Sequence, residues 1–174
     1  MQDDQSWVLL IYRLPREPSR HRVAVWRKLK ALGALYLQDG VAALPEDAVT
    51  REQLEWLQLR VREAEGEATL WEAQPNTSAE GKDLVEAFRS SREEAYQDIV
   101  AGAERVRRKV KLGGGGETLL EELVTLEREF RAERRRDYFR SPLRREASDA
   151  LKAARRAVRE GGSSVERFGA GSGS

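Results

Sequence analysis

The sequence contains no cysteine, and histidine occurs once, as His21. The absence of cysteine excludes disulfides, thiolate nucleophiles and cysteine-bound zinc. With one histidine, a metal site would have to be built from carboxylates, and a histidine-based triad has a single candidate base. Most hydrolytic and thiol-redox chemistry is therefore disfavoured. We expect a protein with no metal, no cofactor and no enzymatic activity.

The sequence also lacks a long hydrophobic segment. Its longest clean apolar run, residues 7–12, is far shorter than the roughly 20 residues that span a bilayer. No basic-then-apolar leader opens the chain. We therefore expect a cytoplasmic protein with no membrane partner.

Charged residues are abundant but segregated. They make up 35% of the 174 residues, yet the formal net charge is only +1. Residues 1–45 hold seven Lys or Arg against four Asp or Glu (+3), residues 46–99 six against fourteen (−8), and residues 100–160 seventeen against eleven (+6). An acidic middle with basic flanks can attract an anionic partner, or the two kinds of segment can pair with each other.

Four short segments have the composition of β-strands, and two amphipathic segments lie between them. The strand-like segments are residues 7–12, 34–38, 41–45 and 67–73. The Asp39-Gly40 pair between the second and third is a strong hairpin signal. The order β-α-β-β-α-β is that of the ferredoxin-like sandwich, in which two helices cover a four-stranded sheet. The sequence thus predicts an α+β fold of this kind.

The first amphipathic segment follows Pro18 and ends near Gly33. Its apolar residues recur at helical spacing at Val23, Trp26, Leu29 and Leu32. Because Trp26 belongs to this row, we expect it to be a core residue and not a stacking platform. Thr50 with Gln53, and Thr77 with Glu80, have the spacing of capping boxes at the starts of later helices.

Residues 76–160 are helical in pattern throughout. The four glycines Gly113–Gly116 divide them, since each glycine costs about 1 kcal/mol in a helix interior. From residue 161 the chain is small and polar, with no core pattern. We predict a ferredoxin-like domain at 1–75, an all-helical C-terminal extension packed on it at 76–160, and a disordered Gly/Ser-rich tail at 161–174.

Several blocks, in the same order, resemble the N-terminal domain of the ChrB family of chromate-resistance regulators. The blocks are LIYRLPREPSRHRVAVWRKLKALGALYLQDGVAALP (10–45), TREQLEWL (50–57), GEATLWEA (66–73) and RDYFRSPL (136–143). The first block is also similar to the ferredoxin-like central domain of PaaX-type transcriptional repressors. The resemblance implies a cytoplasmic transcription regulator that binds DNA, responds to an oxyanion such as chromate, or does both. We expect it to be a homodimer.

A candidate anion site lies at the start of the first helix. Four arginines precede or begin that helix: Arg13, Arg16, Arg20 and Arg22. Backbone N–H groups and the positive end of the helix dipole favour an anion there. Glu17 lies among the arginines, so a solvated, internally paired surface remains an alternative. The resemblance names chromate as the first anion to test.

A larger basic set is a candidate nucleic-acid surface. It comprises Arg27, Lys28, Arg105, Arg107, Arg108, Lys109, Arg134, Arg135, Arg136 and Arg140. DNA binding needs many cations on one surface, because the affinity comes from released counterions. The same segments alternate Glu and Arg at helical spacing, which is also typical of a solvated helix with its own ion pairs.

Two other classes of function stay open. An enzyme or accessory protein can act on an anionic small molecule, with Arg16 and Arg20 binding it and Glu72 as acid or base. A scaffold can bind a partner protein through its basic helices. Convergence of these side chains in a deep pocket favours the enzyme, whereas a flat basic face favours DNA.

Overall fold

A computed structural model describes residues 5–114 and 116–169 of the chain. Within these residues there are four strands and five helices. The strands are β1 (Trp7–Arg13), β2 (Leu35–Gln38), β3 (Val41–Pro45) and β4 (Glu67–Ala73). The helices are α1 (Ser19–Leu32), α2 (Ala48–Glu63), α3 (Ser78–Lys111), α4 (Glu117–Arg136) and α5 (Leu143–Gly169). The predicted α+β class is confirmed.

The four strands form one sheet in the order β2-β3-β1-β4, and every neighbouring pair is antiparallel. Next to β4, Trp7 lies opposite Ala73 and Arg13 lies opposite Glu67. β1 is therefore a central strand, as expected for its run of apolar residues. The turn between β2 and β3 comes at Asp39-Gly40, as predicted from the sequence. A Cβ on Gly40 would lie 2.5 Å from the carbonyl oxygen of Tyr12, so this close approach requires glycine.

The chain divides into two compact units, which we call unit 1 (residues 1–88) and unit 2 (residues 89–174). In unit 1, Trp7 is buried and stacks on Phe88, with 5.2 Å between the ring centroids. Fully buried side chains of β1, α1, β3 and α2 form its core: Val8, Leu10, Leu29, Leu44, Leu54 and Val61. The boundary at residue 75 that the sequence suggests stays a prediction.

Helix α1 buries only part of the predicted face, since Leu29 is buried as predicted but Val23 and Trp26 are not. Val25 and Leu29 are buried, whereas Val23 is 42% exposed and Trp26 46% exposed. The prediction that Trp26 is a core residue is therefore wrong. Helix α1 has apolar residues on two adjacent stripes, and the Val25–Leu29 stripe is the one that packs against unit 1.

The helix caps differ in part from the sequence prediction. Helix α2 begins three residues early, because Asp47 accepts a 2.8 Å hydrogen bond from the Thr50 backbone N–H and Thr50 Oγ1 accepts one from Asp47. The predicted box of Thr50 with Gln53 is replaced by this one. The box of Thr77 with Glu80 is confirmed, since each side chain accepts from the other residue's backbone N–H at 3.2 and 2.9 Å.

Unit 2 is built from α4, α5 and the part of α3 after Phe88. Its core is formed by the side chains Tyr96, Ile99, Ala103, Val106, Leu123, Leu126, Phe130, Ala147, Leu151 and Ala154. Helix α5 runs to Gly169, so the structure differs from the predicted disordered tail as far as that residue. Residues 170–174 lie outside the described part. No helix among the described residues is long and apolar enough to cross a membrane.

Candidate anion and nucleic-acid sites

A cavity of about 790 Å³ lies in unit 1 where the end of β1 meets α1 and the β2–β3 hairpin. The residues that line it are Tyr12, Arg13, Leu14, Arg22, Val23, Trp26, Arg27, Tyr36, Asp39 and Gly40. Arg22, Val23, Trp26 and Arg27 lie one turn apart on α1 and therefore share one side of the helix. The exposed apolar stripe of α1 is thus a wall of this cavity.

The cavity contains only part of the predicted anion site. Arg13 and Arg22 line it, together with Arg27 from the predicted DNA-binding set, but Arg16 and Arg20 are not among its lining residues. Arg13 forms an ion pair with Glu67 at 3.1 Å, with both side chains about 80% exposed. Such an exposed pair is weak, so Arg13 can exchange Glu67 for another anion at little cost.

The N-terminus of α1 already holds a carboxylate of the protein. Glu17 Oε2 accepts a 3.3 Å hydrogen bond from the Ser19 backbone N–H. The cap position is Pro18, and Ser19 is the first helical residue. The predicted use of this helix end by a bound anion therefore competes with Glu17, whereas the cavity farther along α1 does not involve it.

Besides the arginines and Asp39, two tyrosines contribute polar groups to the cavity wall. The hydroxyls of Tyr12 and Tyr36 lie 2.8 Å apart and share a hydrogen bond. Burial raises the pKa of Tyr36 well above its ordinary value, and the hydrogen bond to Tyr12 raises it further. The Tyr36 phenol, like an ordinary tyrosine, is neutral at physiological pH and can act as a hydrogen-bonding group.

Glu72 has a different partner from the one that an enzyme at this site would need. Its carboxylate pairs with Arg51 at 3.2 Å, and Arg51 also pairs with Glu46 at 2.8 Å. In the β1–β4 register Glu67 lies opposite Arg13, whereas Glu72 is five residues farther along β4, about 17 Å away. The structure does not bring Glu72 to the start of α1.

The predicted nucleic-acid set falls into separate groups. Helices α3 and α4 are antiparallel, with Arg92 near Glu133 (3.3 Å) at one end and Arg105 near Glu122 (3.2 Å) at the other. Twelve residues of α4 separate Glu122 from Arg134, which corresponds to about 18 Å. The two basic segments of unit 2 therefore lie at opposite ends of the helix pair.

Members of this set differ in their partners. At one end Arg105 and Lys109 share Glu122, and the hydrogen bond from Lys109, followed by that from Arg105, lowers the pKa of Glu122. At the other end Arg136 pairs with the buried Glu133. The exposed members of unit 2 include Arg108, Arg134, Arg135 and Arg140, and Arg107 is half-buried. In unit 1, Lys28 lines a second cavity with His21 and Trp56.

A cavity of about 670 Å³ in unit 2 gathers basic residues that the sequence analysis names only in part. Its lining residues are Phe130, Arg134, Arg140, Ser141, Arg144, Arg145, Ser148, Asp149 and Lys152. Of these, the predicted set contains Arg134 and Arg140. For Arg144 and Arg145, the sequence signal is the segment RSPLRRE, in which a proline is followed by arginines at the start of a helix.

Comparison with protein families identifies the family of the chain. The model of the family described as "Protein ChrB, N-terminal" matches residues 22–168. The chain belongs to the ChrB N-terminal domain family. The predicted resemblance to this family is thereby confirmed. The cavity beside Tyr12 in unit 1 and the cavity beside Ser141 in unit 2 both overlap the matched region of the ChrB N-terminal domain. Arg13, Arg16 and Arg20 precede that region.

One curated relative agrees with the family assignment. Protein ChrB of Cupriavidus metallidurans (strain CH34) is 45% identical over 42 residues, which is 24% of this chain and 13% of the relative. The alignment thus spans about an eighth of the relative's length. No solved structure matches this ChrB N-terminal domain.

Proposed function

We propose that this chain is a cytoplasmic regulatory domain of the chromate-resistance type that acts by binding and not by catalysis. Its ligand is an oxyanion such as chromate, bound in the unit 1 cavity. The observation that carries the proposal is that Arg13, Arg22 and Arg27 line one concave surface beside two tyrosine hydroxyls. Charge-assisted hydrogen bonds from several arginines favour a dianion over chloride. Membership of the ChrB N-terminal family supports the class of regulator.

The proposed architecture of unit 1 is ferredoxin-like. The strand order β2-β3-β1-β4, with α1 between β1 and β2 and α2 between β3 and β4, supports this assignment. In it, the end of the central strand β1 and the side of α1 meet at one edge of the sandwich. We further propose that the regulator is a homodimer.

Calorimetric titration with chromate and with sulfate tests the oxyanion site. We expect Arg22→Ala and Arg27→Ala each to weaken chromate binding about tenfold, because each removes one charge-assisted contact. Arg16→Ala and Arg20→Ala are matched controls on the same loop and helix, and we expect changes below about twofold. The proposal fails if neither anion releases or absorbs heat, or if the control variants weaken binding as much as Arg22→Ala does.

DNA binding is a second candidate function, favoured by the exposed arginines at the ends of α3 and α4. Fluorescence anisotropy with a duplex from the region upstream of the protein's own locus, measured across salt concentrations, tests it. We expect Arg135→Ala to reduce the salt slope by about one. Arg105→Ala is the control, since this arginine already pairs with Glu122. Absence of binding at about 50 mM salt would rule the candidate out.

A further inference from the structure

The unit 2 cavity has an excess of positive charge. Five cationic side chains line it against one carboxylate, that of Asp149. Asp149 lies 3.5 Å from Lys152 and 3.9 Å from Arg145, and those two cations are 72% and 93% exposed. Exposed pairs of this kind are weak, so Asp149 offsets little of the charge around the cavity.

The segment that brings Arg140 and Ser141 to the cavity is held by a buried carboxylate. Asp137 Oδ1 accepts a 2.9 Å hydrogen bond from the Ser141 backbone N–H, and Oδ2 accepts one from the Tyr96 hydroxyl. Ser141 O then accepts from the Arg144 backbone N–H at 3.1 Å, at the start of α5. Arg140 has φ of 54°, a left-handed conformation that is costly for arginine and needs this surrounding support. Ser141 is thus fixed in position before any ligand arrives.

Ser141 carries a buried polar group without a partner. The residue is 3% exposed, lines the cavity, and its Oγ makes no hydrogen bond within the described part of the chain. An unpaired buried hydroxyl costs about 1–3 kcal/mol. Ser141 lines the cavity, and its hydroxyl hydrogen can rotate about the Cβ–Oγ bond without moving the oxygen, so the hydroxyl is an unused donor beside the cavity.

The start of α5 adds a further favourable field. The positive end of the helix dipole and its unsatisfied N–H groups favour an anion at the first turn. Arg144 lies in that turn, and Arg134 and Arg140 approach the cavity from the end of α4 and the α4–α5 connection. A buried donor, several arginines and a helix N-terminus are the elements from which phosphate sites are built.

We propose that this cavity binds a free tetrahedral oxyanion, for which inorganic phosphate is the probe. Ser141 donates a hydrogen bond to the anion, and Arg134, Arg140 and Arg144 neutralise its charge. The arginines surround one local concave surface beside the start of α5, which suits a small ion, whereas a duplex needs cations spread over a broad surface. None of these residues lines the unit 1 cavity, so the two sites are distinct.

Calorimetry and thermal unfolding of the full chain with inorganic phosphate test the site. We expect Ser141→Ala to weaken phosphate binding about tenfold and Lys152→Ala about threefold, the latter because it removes only an exposed charge. Arg108 is an exposed arginine of unit 2 outside the cavity lining, and we expect Arg108→Ala to change the affinity for phosphate less than twofold. Without phosphate, Ser141→Ala should unfold at the same or a higher temperature than the wild type, because it removes an unpaired buried hydroxyl.

A variant that binds phosphate more weakly but is at least as stable as the wild type separates a role of Ser141 in ligand binding from a structural role. Phosphate should raise the unfolding temperature of the wild type and raise that of Ser141→Ala much less. The proposal is wrong if the wild type binds no phosphate at about 10 mM, or if Ser141→Ala and Lys152→Ala bind it as the wild type does. It is also wrong if duplex DNA, but not phosphate, loses affinity in these variants, since the site then serves nucleic acid. Arg22→Ala should leave phosphate binding intact even if it weakens chromate binding in unit 1.

Discussion

Tyr96 donates a 2.9 Å hydrogen bond to Asp137, although the two residues are 41 positions apart in the chain. Both are buried, and the second oxygen of the same carboxylate accepts the backbone N–H of Ser141. Asp137 thus joins α3, the end of α4 and the start of α5. The segment between α4 and α5 lines the basic cavity, and Asp137 is one of its supports, together with Arg89, which donates to the Phe139 carbonyl oxygen at 3.1 Å.

Replacing Asp137 should destabilise unit 2 strongly. Asp137→Ala leaves the Tyr96 hydroxyl and the Ser141 N–H unpaired in the interior, and we expect a loss of about 3 kcal/mol in the free energy of unfolding. Asp149→Ala, which removes an exposed carboxylate, should change it by less than about 0.5 kcal/mol. Urea unfolding followed by circular dichroism measures both variants. Equal effects of the two substitutions would contradict the role assigned to Asp137.

Spectrophotometric titration gives a second readout of the same contact. Burial raises the pKa of Tyr96 above its ordinary value, and the hydrogen bond to Asp137 raises it further. A pKa that is higher in the folded state stabilises the protein below the ordinary tyrosine pKa of about 10, and this contribution is lost as the pH rises through the folded-state value. In Asp137→Ala the pKa of Tyr96 should fall but remain raised, because burial persists.

The core face of α1 can be tested by comparing two residues of that helix. Leu29 is fully buried and Trp26 is 46% exposed. We expect Leu29→Ala to cost about 2–5 kcal/mol and Trp26→Ala less than about 1 kcal/mol, although tryptophan is the larger side chain. Unfolding in urea distinguishes the two. A larger loss for Trp26→Ala would restore the helix face predicted from the sequence.

The ion pair between Glu127 and Arg155 predicts a pH dependence of stability. Arg155 donates to both carboxylate oxygens of Glu127, at 2.7 and 2.6 Å, and this contact lowers the pKa of Glu127. The stabilisation is therefore complete above the unfolded-state pKa, near 4.5, and is lost as the pH falls through the lower folded-state value. Since Arg155 is half exposed, we expect the pair to contribute only about 0.5 kcal/mol to the free energy of unfolding.

Unfolding experiments from pH 7 to pH 3 check this contribution. Arg155→Ala should lose less stability on acidification than the wild type, because its Glu127 no longer gains from being ionised. Arg156→Ala changes an exposed neighbour on the same helix and should follow the wild-type profile. Parallel profiles for all three proteins would show that the Glu127 pair does not contribute.

Replacing two glycines of α3 by alanine should change the stability of the protein in opposite directions. A Cβ on Gly102 would lie 2.6 Å from Cδ2 of the buried Leu126, so Gly102→Ala should cost about 1–3 kcal/mol through overpacking. A Cβ on Gly81 would lie 3.7 Å from Pro75, an ordinary contact. Gly81→Ala should therefore stabilise the protein by about 0.5–1 kcal/mol. Thermal unfolding measures both, and a neutral Gly102→Ala would mean that Leu126 has room to move.

Signals from neighbouring residues predicted the positions of turns, helices and strands well, but they predicted less well which face of a helix is buried. The Asp39-Gly40 turn and the Thr77–Glu80 box depend on neighbouring residues only, and both were found where predicted. The assignment of Trp26 to the core failed because α1 has two apolar stripes, and only contact with the rest of unit 1 selects one of them.

The candidate sites show the same limit. The sequence indicated arginines at the start of α1 and in two basic segments of unit 2, but it could not group them. Glu72 pairs with Arg51 of α2, and the antiparallel pairing of α3 with α4 separates the two basic segments by about 18 Å. Ser141 and Lys152 had no signal of their own, since a serine before a proline and a lysine on a helix are common.

The sequence alone determined the absence of cysteine chemistry, the α+β pattern of elements and the resemblance to the ChrB N-terminal family, because each depends on composition or on residues close together in the chain. Only the tertiary structure decided which arginines share a cavity, which carboxylates neutralise others, and that the Ser141 hydroxyl is buried without a partner. Those properties depend on distances between residues that are remote in sequence, and strand register and helix packing set these distances.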